Sequence, residues 1–197
     1  RKKNTECEYY AKDFAIHVVD SLSEFLDNSN ITLNKFIEYF EGFPRTAIES
    51  VKSKFTQKEI TQVETELVNA QKRSSEEPSK ALKSGRKLLK KTRPNLKLLS
   101  EILGKNDLKH KSLCNEIAWE LRQSSIKYFN YSTKNSASVD IGRNCLDLVK
   151  EALALYSQGN TGKQLREDKE FLEGWIDELK DYTAEKKTKS SGYSKET

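Results

Sequence analysis

The stretch from Pro78 to Ser100, PSKALKSGRKLLKKTRPNLKLLS, decides the fold class and carries the one pointer to function. It holds eight basic residues (Lys80, Lys83, Arg86, Lys87, Lys90, Lys91, Arg93 and Lys97) and no acidic one. Wound at about 100° per residue, all eight fall on one half of a helical cylinder. Leu82, Gly85, Leu88, Leu89, Leu96 and Leu99 fall on the other half. The inner register Leu82, Gly85, Leu89, Thr92, Leu96, Leu99, Leu103 advances by threes and fours without a slip, which is the helical period. The whole protein carries +5, so everything outside this stretch carries −3. Positive charge is therefore concentrated on one amphipathic stripe. Pro94 interrupts the pattern, and a proline inside a helix costs about 3 kcal/mol, so a kink or break is expected near Thr92. A break would leave Lys80 to Lys91 on one rod and Lys97 on another. Gly104 ends the segment.

The same period runs outward in both directions. Upstream, Cys7, Tyr10, Phe14, Val18, Leu22 and Phe25 mark a first helix, with Thr5 and Glu8 at capping-box spacing. Leu33, Phe36, Ile37 and Phe40 mark a short second one, closed by Gly42 and Pro44. Two further Thr-x-x-Glu boxes, Thr46 with Glu49 and Thr56 with Glu59, predict separate helices over Ile48–Phe55 and Ile60–Ala70. The polar run Ser74 to Ser79 reads as a subdomain boundary. Downstream, Asp107 caps a helix carrying Cys114, Ile117, Leu121, Ser125 and Tyr128. A polar loop follows over Tyr131–Ser138. Asp140 then caps Ile141, Cys145, Leu148, Ala152 and Leu155, with Gly159 as the stop. A last helix carries Leu165, Leu172, Trp175, Leu179 and Tyr182, with Asp168 at a position the spacing makes apolar.

The reading is an all-α protein of about eight helices, packed as an irregular bundle or array. It divides into an N-terminal subdomain over 1–75, a C-terminal one over 79–183, and a structureless tail over 184–197. Scarce glycine (8) and proline (3) agree with helices and not with a sandwich or barrel. Apolar content of 35% against 33% charge suits thin helical layers that expose much charged surface. Three cysteines with no CxxC pairing argue against a disulfide framework or zinc site and for a reducing, cytoplasmic setting. No apolar run approaches the roughly 20 residues of a membrane span. The chain opens on Arg1 and contains no methionine, as expected of a piece of a longer polypeptide.

Several stretches of the second half carry a family resemblance. They are Leu88-Leu-Lys-Lys-Thr-Arg-Pro94 through Ile102-Leu-Gly104, Ser125-Ile-Lys-Tyr-Phe-Asn130, Cys145-Leu-Asp-Leu-Val-Lys150, and Gln164-Leu-Arg-Glu-Asp-Lys169 through Trp175-Ile176. Over residues 83–180 the chain resembles an uncharacterised helical region of multidomain bacterial proteins, some of them associated with J-domains. The resemblance implies a bacterial, intracellular, all-helical module and supplies no catalytic or binding residue.

Motifs for chemistry are absent: no phosphate-binding loop, dinucleotide fingerprint, zincin or nucleophile elbow occurs. His110 and Cys114 stand four apart, but Cys114 lies on the core stripe and no third orienting group is visible. Glu64 with Glu66, and Glu167 with Asp168 and Glu170, read as solvated helical carboxylates beside Lys and Arg. Asp168 alone falls on the buried register, and a buried carboxylate requires a partner, for which Arg143 or Arg166 is available. Catalytic, cofactor and metal residues are accordingly none. Lys80, Lys83, Arg86, Lys87, Lys90 and Lys91 form a candidate contact for an anionic partner, the plain alternative being the solvated face of a Lys-rich helix. An acidic protein surface fits the stripe. Nonspecific nucleic-acid binding through residues 80–97 is the alternative, without the interleaved aromatics that would stack bases. The leucine face is needed for the core, so a membrane-surface role is not expected. The expected function is a non-catalytic interaction or scaffold module, which should show an exposed apolar groove between helices. The sequence does not indicate an oligomeric state.

Overall fold

The computed structural model describes Tyr10, Asp13, His17, Lys35, Glu38, Gly42, residues 45–134 and residues 136–192. Apart from those isolated positions, the helices expected over Cys7–Phe25 and Leu33–Phe40, and Cys7 itself, lie outside the described residues. Among the described residues the protein is all-helical: α1 (Arg45–Glu76), a 3-10 turn (Pro78–Lys80), α2 (Ala81–Leu103), α3 (Leu108–Thr133), α4 (Val139–Leu155) and α5 (Gly159–Gly192), with no strand. That is five α-helices among the described residues; of the about eight expected, two lie outside those residues, and α1 stands where two were expected.

The difference has local causes. The two Thr-x-x-Glu boxes do not start two helices. The Thr56 hydroxyl donates to Lys52 O at 2.8 Å and lies 3.2 Å from Ser53 O. It bonds back into its own helix instead of accepting a free amide, so α1 runs on for 32 residues. Nor does Pro94 end α2, which continues to Leu103. Apolar burial holds the rod on both sides of the proline: Leu88 and Leu89 before it, Leu96, Leu99 and Ile102 after it, all at or below 9% exposure. Gly104, at φ +91°, ends α2 as expected. Asp107 caps α3, its Oδ1 accepting from the backbone amides of Lys109 at 2.8 Å and His110 at 3.0 Å. For α4 the cap is Ser138, which accepts from the Ile141 amide, and not Asp140, which lies in the first turn beside Arg143. The helical backbone of α5 reaches Gly192.

Two compact units are present. The first comprises residues 1–63 and 94–110. In its described part Asn95 of α2 donates to Glu59 and, at 3.2 Å, to Gln62 of α1, above the buried Leu96, Leu99 and Ile102. The second comprises residues 64–93 and 111–197. The polar run Ser74–Ser79 lies inside this second unit, where Ser74 to Glu76 close α1 and the 3-10 turn at Pro78–Lys80 leads into α2. The division between the units falls within α2, between Arg93 and Pro94.

The second unit's core is built by the end of α1, which buries Leu67 and Ala70, together with α2 through α5. Leu88, Leu113, Ile117, Leu121, Leu148 and Leu165 are fully buried there. Gly85 marks the closest approach of α2: an added Cβ would stand 3.0 Å from Leu148 Cδ2 and 3.1 Å from Ser124 Cβ. Gly142 does the same for α4 against Trp175 and Ile176 of α5.

Candidate functional site

The inner side of α2 (Leu82, Gly85, Leu88, Leu89, Thr92) is buried, and each of the eight basic residues is exposed. Their surroundings differ. Lys80 pairs with Glu77, and Lys91 with Glu66, whose side chain is only 14% exposed. Arg93 reaches Glu151 on α4 at 2.7 Å, and in the first unit Lys97 stands 4.0 Å from Glu101. Arg86 donates to the neutral amide oxygen of Asn144 at 2.9 Å and so keeps its charge uncompensated. Among the described residues Lys83, Lys87 and Lys90 have no ion-pair or hydrogen-bond partner. Spaced at i, i+4 and i+7, they stand on one face and span about 10 Å along the axis. Of the six sequence-derived candidates, then, Lys83, Arg86, Lys87 and Lys90 offer free charge, whereas Lys80 and Lys91 are engaged within the chain.

Two polar constellations lie elsewhere in the second unit. Glu120 of α3 is 3% exposed, and its Oε1 accepts from Ser74 Oγ at 2.8 Å and from Ser124 Oγ at 3.2 Å. Lys127 Nζ donates to Ser74 Oγ at 3.1 Å and to Ser75 Oγ at 3.0 Å, tying the end of α1 to α3. The register signalled this burial, because Glu120 follows Leu113 and Ile117 and precedes Ser124 at helical spacing. The second constellation settles Asp168. Its partner is Arg122 of α3, with Nε at 2.6 Å from Oδ2 and Nη2 at 3.2 Å from Oδ1, and not Arg143 or Arg166. Arg122 also stacks 5.1 Å from the centre of the Trp119 ring. Arg143 faces Asp140, and Arg166 donates to Ser157 O.

Between α3 and α5 lies a groove of about 220 Å³, lined by Ser125, Ile126, Phe129, Asn130, Asp168, Phe171 and Leu172. Phe129 meets Phe171 and Trp175 edge-to-face, at 5.8 and 4.9 Å between ring centres. Phe171 remains 59% exposed.

The two described thiols are not activated as nucleophiles. Burial pushes the thiols of Cys114 and Cys145 up from 9.0 to about 11, the reverse of what thiolate chemistry needs. For Cys145, the hydrogen bond with Ser125 and the charge of Arg86 pull the other way without cancelling burial. Among the described residues no group of three His, Cys, Asp or Glu could hold a metal ion, and no helix is long and apolar enough to cross a membrane. The raised thiols give a pH signature. Both folded values lie above the unfolded value, so the stabilisation is complete below pH 9 and is lost as pH rises toward about 11. Denaturant midpoints measured from pH 8 to 11 are expected to fall over that window, and to fall less in a Cys114→Ala/Cys145→Ala protein. No protein-family model matches this chain, and neither a curated protein nor a solved structure is similar to it.

Proposed function

We propose that the chain is a non-catalytic helical interaction module of a larger bacterial protein, holding an acidic partner protein against the outer face of α2. The observation that carries this reading is the uncompensated charge of Lys83, Lys87 and Lys90, with Arg86 beside them, on a helix whose inner side is locked into the core at Gly85. A rigid row of free cations steers and orients an anionic surface without the cost of ordering a loop. The aromatic-lined groove between α3 and α5 supports the reading as well, since an interaction module is expected to present one. Cys114 and Cys145, both buried and neither joined in a disulfide, support a reducing, cytoplasmic setting.

The test uses a Lys83→Glu/Lys87→Glu/Lys90→Glu protein, whose three positions are exposed and leave the core untouched. Wild type is expected to bind short poly-L-glutamate at low salt, and the triple variant to bind at least about tenfold more weakly, a difference of about 1.4 kcal/mol. Equal binding by the two proteins would overturn the reading. A single-stranded oligonucleotide serves as the competing probe. Three or four phosphate contacts would lose roughly 20- to 50-fold in affinity between about 50 and 200 mM salt. Tighter binding of the oligonucleotide than of polyglutamate at matched salt would replace the acidic protein with nucleic acid.

A further inference from the structure

The chain itself carries a surface complementary to the α2 face. From Glu167 to Asp181, α5 holds seven acidic residues against two lysines. Some are engaged: Glu167 with Lys163, Asp168 with Arg122, Glu173 with Lys150 and Lys169, and Asp177 with Lys180. Glu170, Glu178 and Asp181 are exposed and, among the described residues, have no ion-pair partner. At about 100° per residue these three carboxylates, together with Phe171 and Gly174, fall within roughly 100° of arc. An added Cβ at Gly174 would meet nothing within 4 Å, so the backbone is open to close approach there. Phe171 offers an exposed ring to lysine ammonium groups and their methylene stems. Glu170 to Asp181 covers about 16 Å of helix, and Lys83 to Lys90 about 10 Å, so the three cations fit within the length of the three anions.

We infer that a partner of the basic α2 face is a second copy of this chain, which presents the outer face of α5. This rests on the reading of the α2 face as a docking surface and names its occupant. The contact joins two different faces, so it is heterologous: one copy is left with a free α5 face and the other with a free α2 face. Association therefore grows beyond a dimer with concentration unless the geometry closes a ring. Each exposed ion pair contributes little. Self-association is thus weak, read at about 100 µM protein, and suppressed by salt as the Debye length shrinks from about 10 Å at 0.1 M.

The experiment is a charge exchange followed by sedimentation equilibrium of the whole chain. One protein carries Lys83→Glu/Lys87→Glu/Lys90→Glu, the other Glu170→Lys/Glu178→Lys/Asp181→Lys. Wild type is expected to gain mass with concentration at low salt and to lose that gain at high salt. Each variant alone is expected to stay monomeric, because both of its faces then carry the same sign, and an equimolar mixture is expected to associate again. The inference is overturned if wild type stays monomeric at low salt, if either variant still self-associates, or if the mixture does not. Should wild type be monomeric while the lysine variant loses polyglutamate, this inference fails and the docking role of α2 stands. If wild type associates but neither protein binds polyglutamate, the broader acidic-partner reading fails instead.

Discussion

Replacing Gly142 with alanine is expected to destabilise the protein by about 2–3 kcal/mol, the upper part of the range for overpacking a core. The added methyl would stand 2.7 Å from Ile176 Cγ1 and 2.8 Å from Cε3 and Cζ3 of Trp175. The indole cannot swing aside freely, because Phe129 of α3 abuts it edge-on at 4.9 Å. Relief requires α4 and α5 to separate, and the strain reaches α3 through that aromatic pair. In a chain of this size such a loss lowers Tm by roughly 6–10 °C. The informative control is Gly174→Ala on the outer side of α5, where open space surrounds the new methyl. There the same change removes unfolded-state freedom and is expected to add about 0.5–1 kcal/mol. Urea melts of the two variants are expected to shift in opposite directions. A Gly142→Ala protein as stable as wild type would show that α4 and α5 are not packed this closely.

The second large effect is expected at Glu120. Glu120→Ala deletes a 3%-exposed side chain that accepts from Ser74 and Ser124; it leaves the Ser124 hydroxyl facing a cavity without an acceptor, while Ser74 keeps Gln71 O at 3.1 Å. Buried groups stripped of an acceptor cost about 1–3 kcal/mol and the lost packing adds to that, so about 3 kcal/mol is expected. Glu120→Gln keeps an acceptor oxygen of the same reach and is expected to cost less than half as much. Equal losses in the two variants would mean that packing alone, and not the hydroxyl acceptor, accounts for the role of Glu120. The denaturant midpoint is the measurement, and an unchanged m-value would show that the folded state remains equally compact.

Some features were legible in the chain alone because they depend on local geometry. The inward register of α2 from Leu82 to Leu99, the stop at Gly104 and the Asp107 cap of α3 each need only the helical period or one residue's backbone preference. The exposure of all eight basic residues followed from the same winding. Other expectations failed where the deciding partner is distant in sequence. Thr56 matches a capping box as well as it matches a helix-interior threonine, and the continuing backbone of α1 chose the second. Arg143 and Arg166 were the nearer guanidinium candidates for Asp168, yet Arg122 on another helix holds it.

The candidate site divides along the same line. Sequence alone determined that a basic stripe exists, that it lies on one helix and that its back is apolar, since charge and period are properties of a single segment. Only the tertiary structure decided which of those charges are free. Glu66, Asn144 and Glu151 come from α1 and α4 and engage Lys91, Arg86 and Arg93 across gaps of 25 and 58 residues, leaving Lys83, Lys87 and Lys90 without partners among the described residues. Whether a cation is engaged depends on which carboxylates the fold brings within a few ångströms of it, and no local pattern encodes that distance.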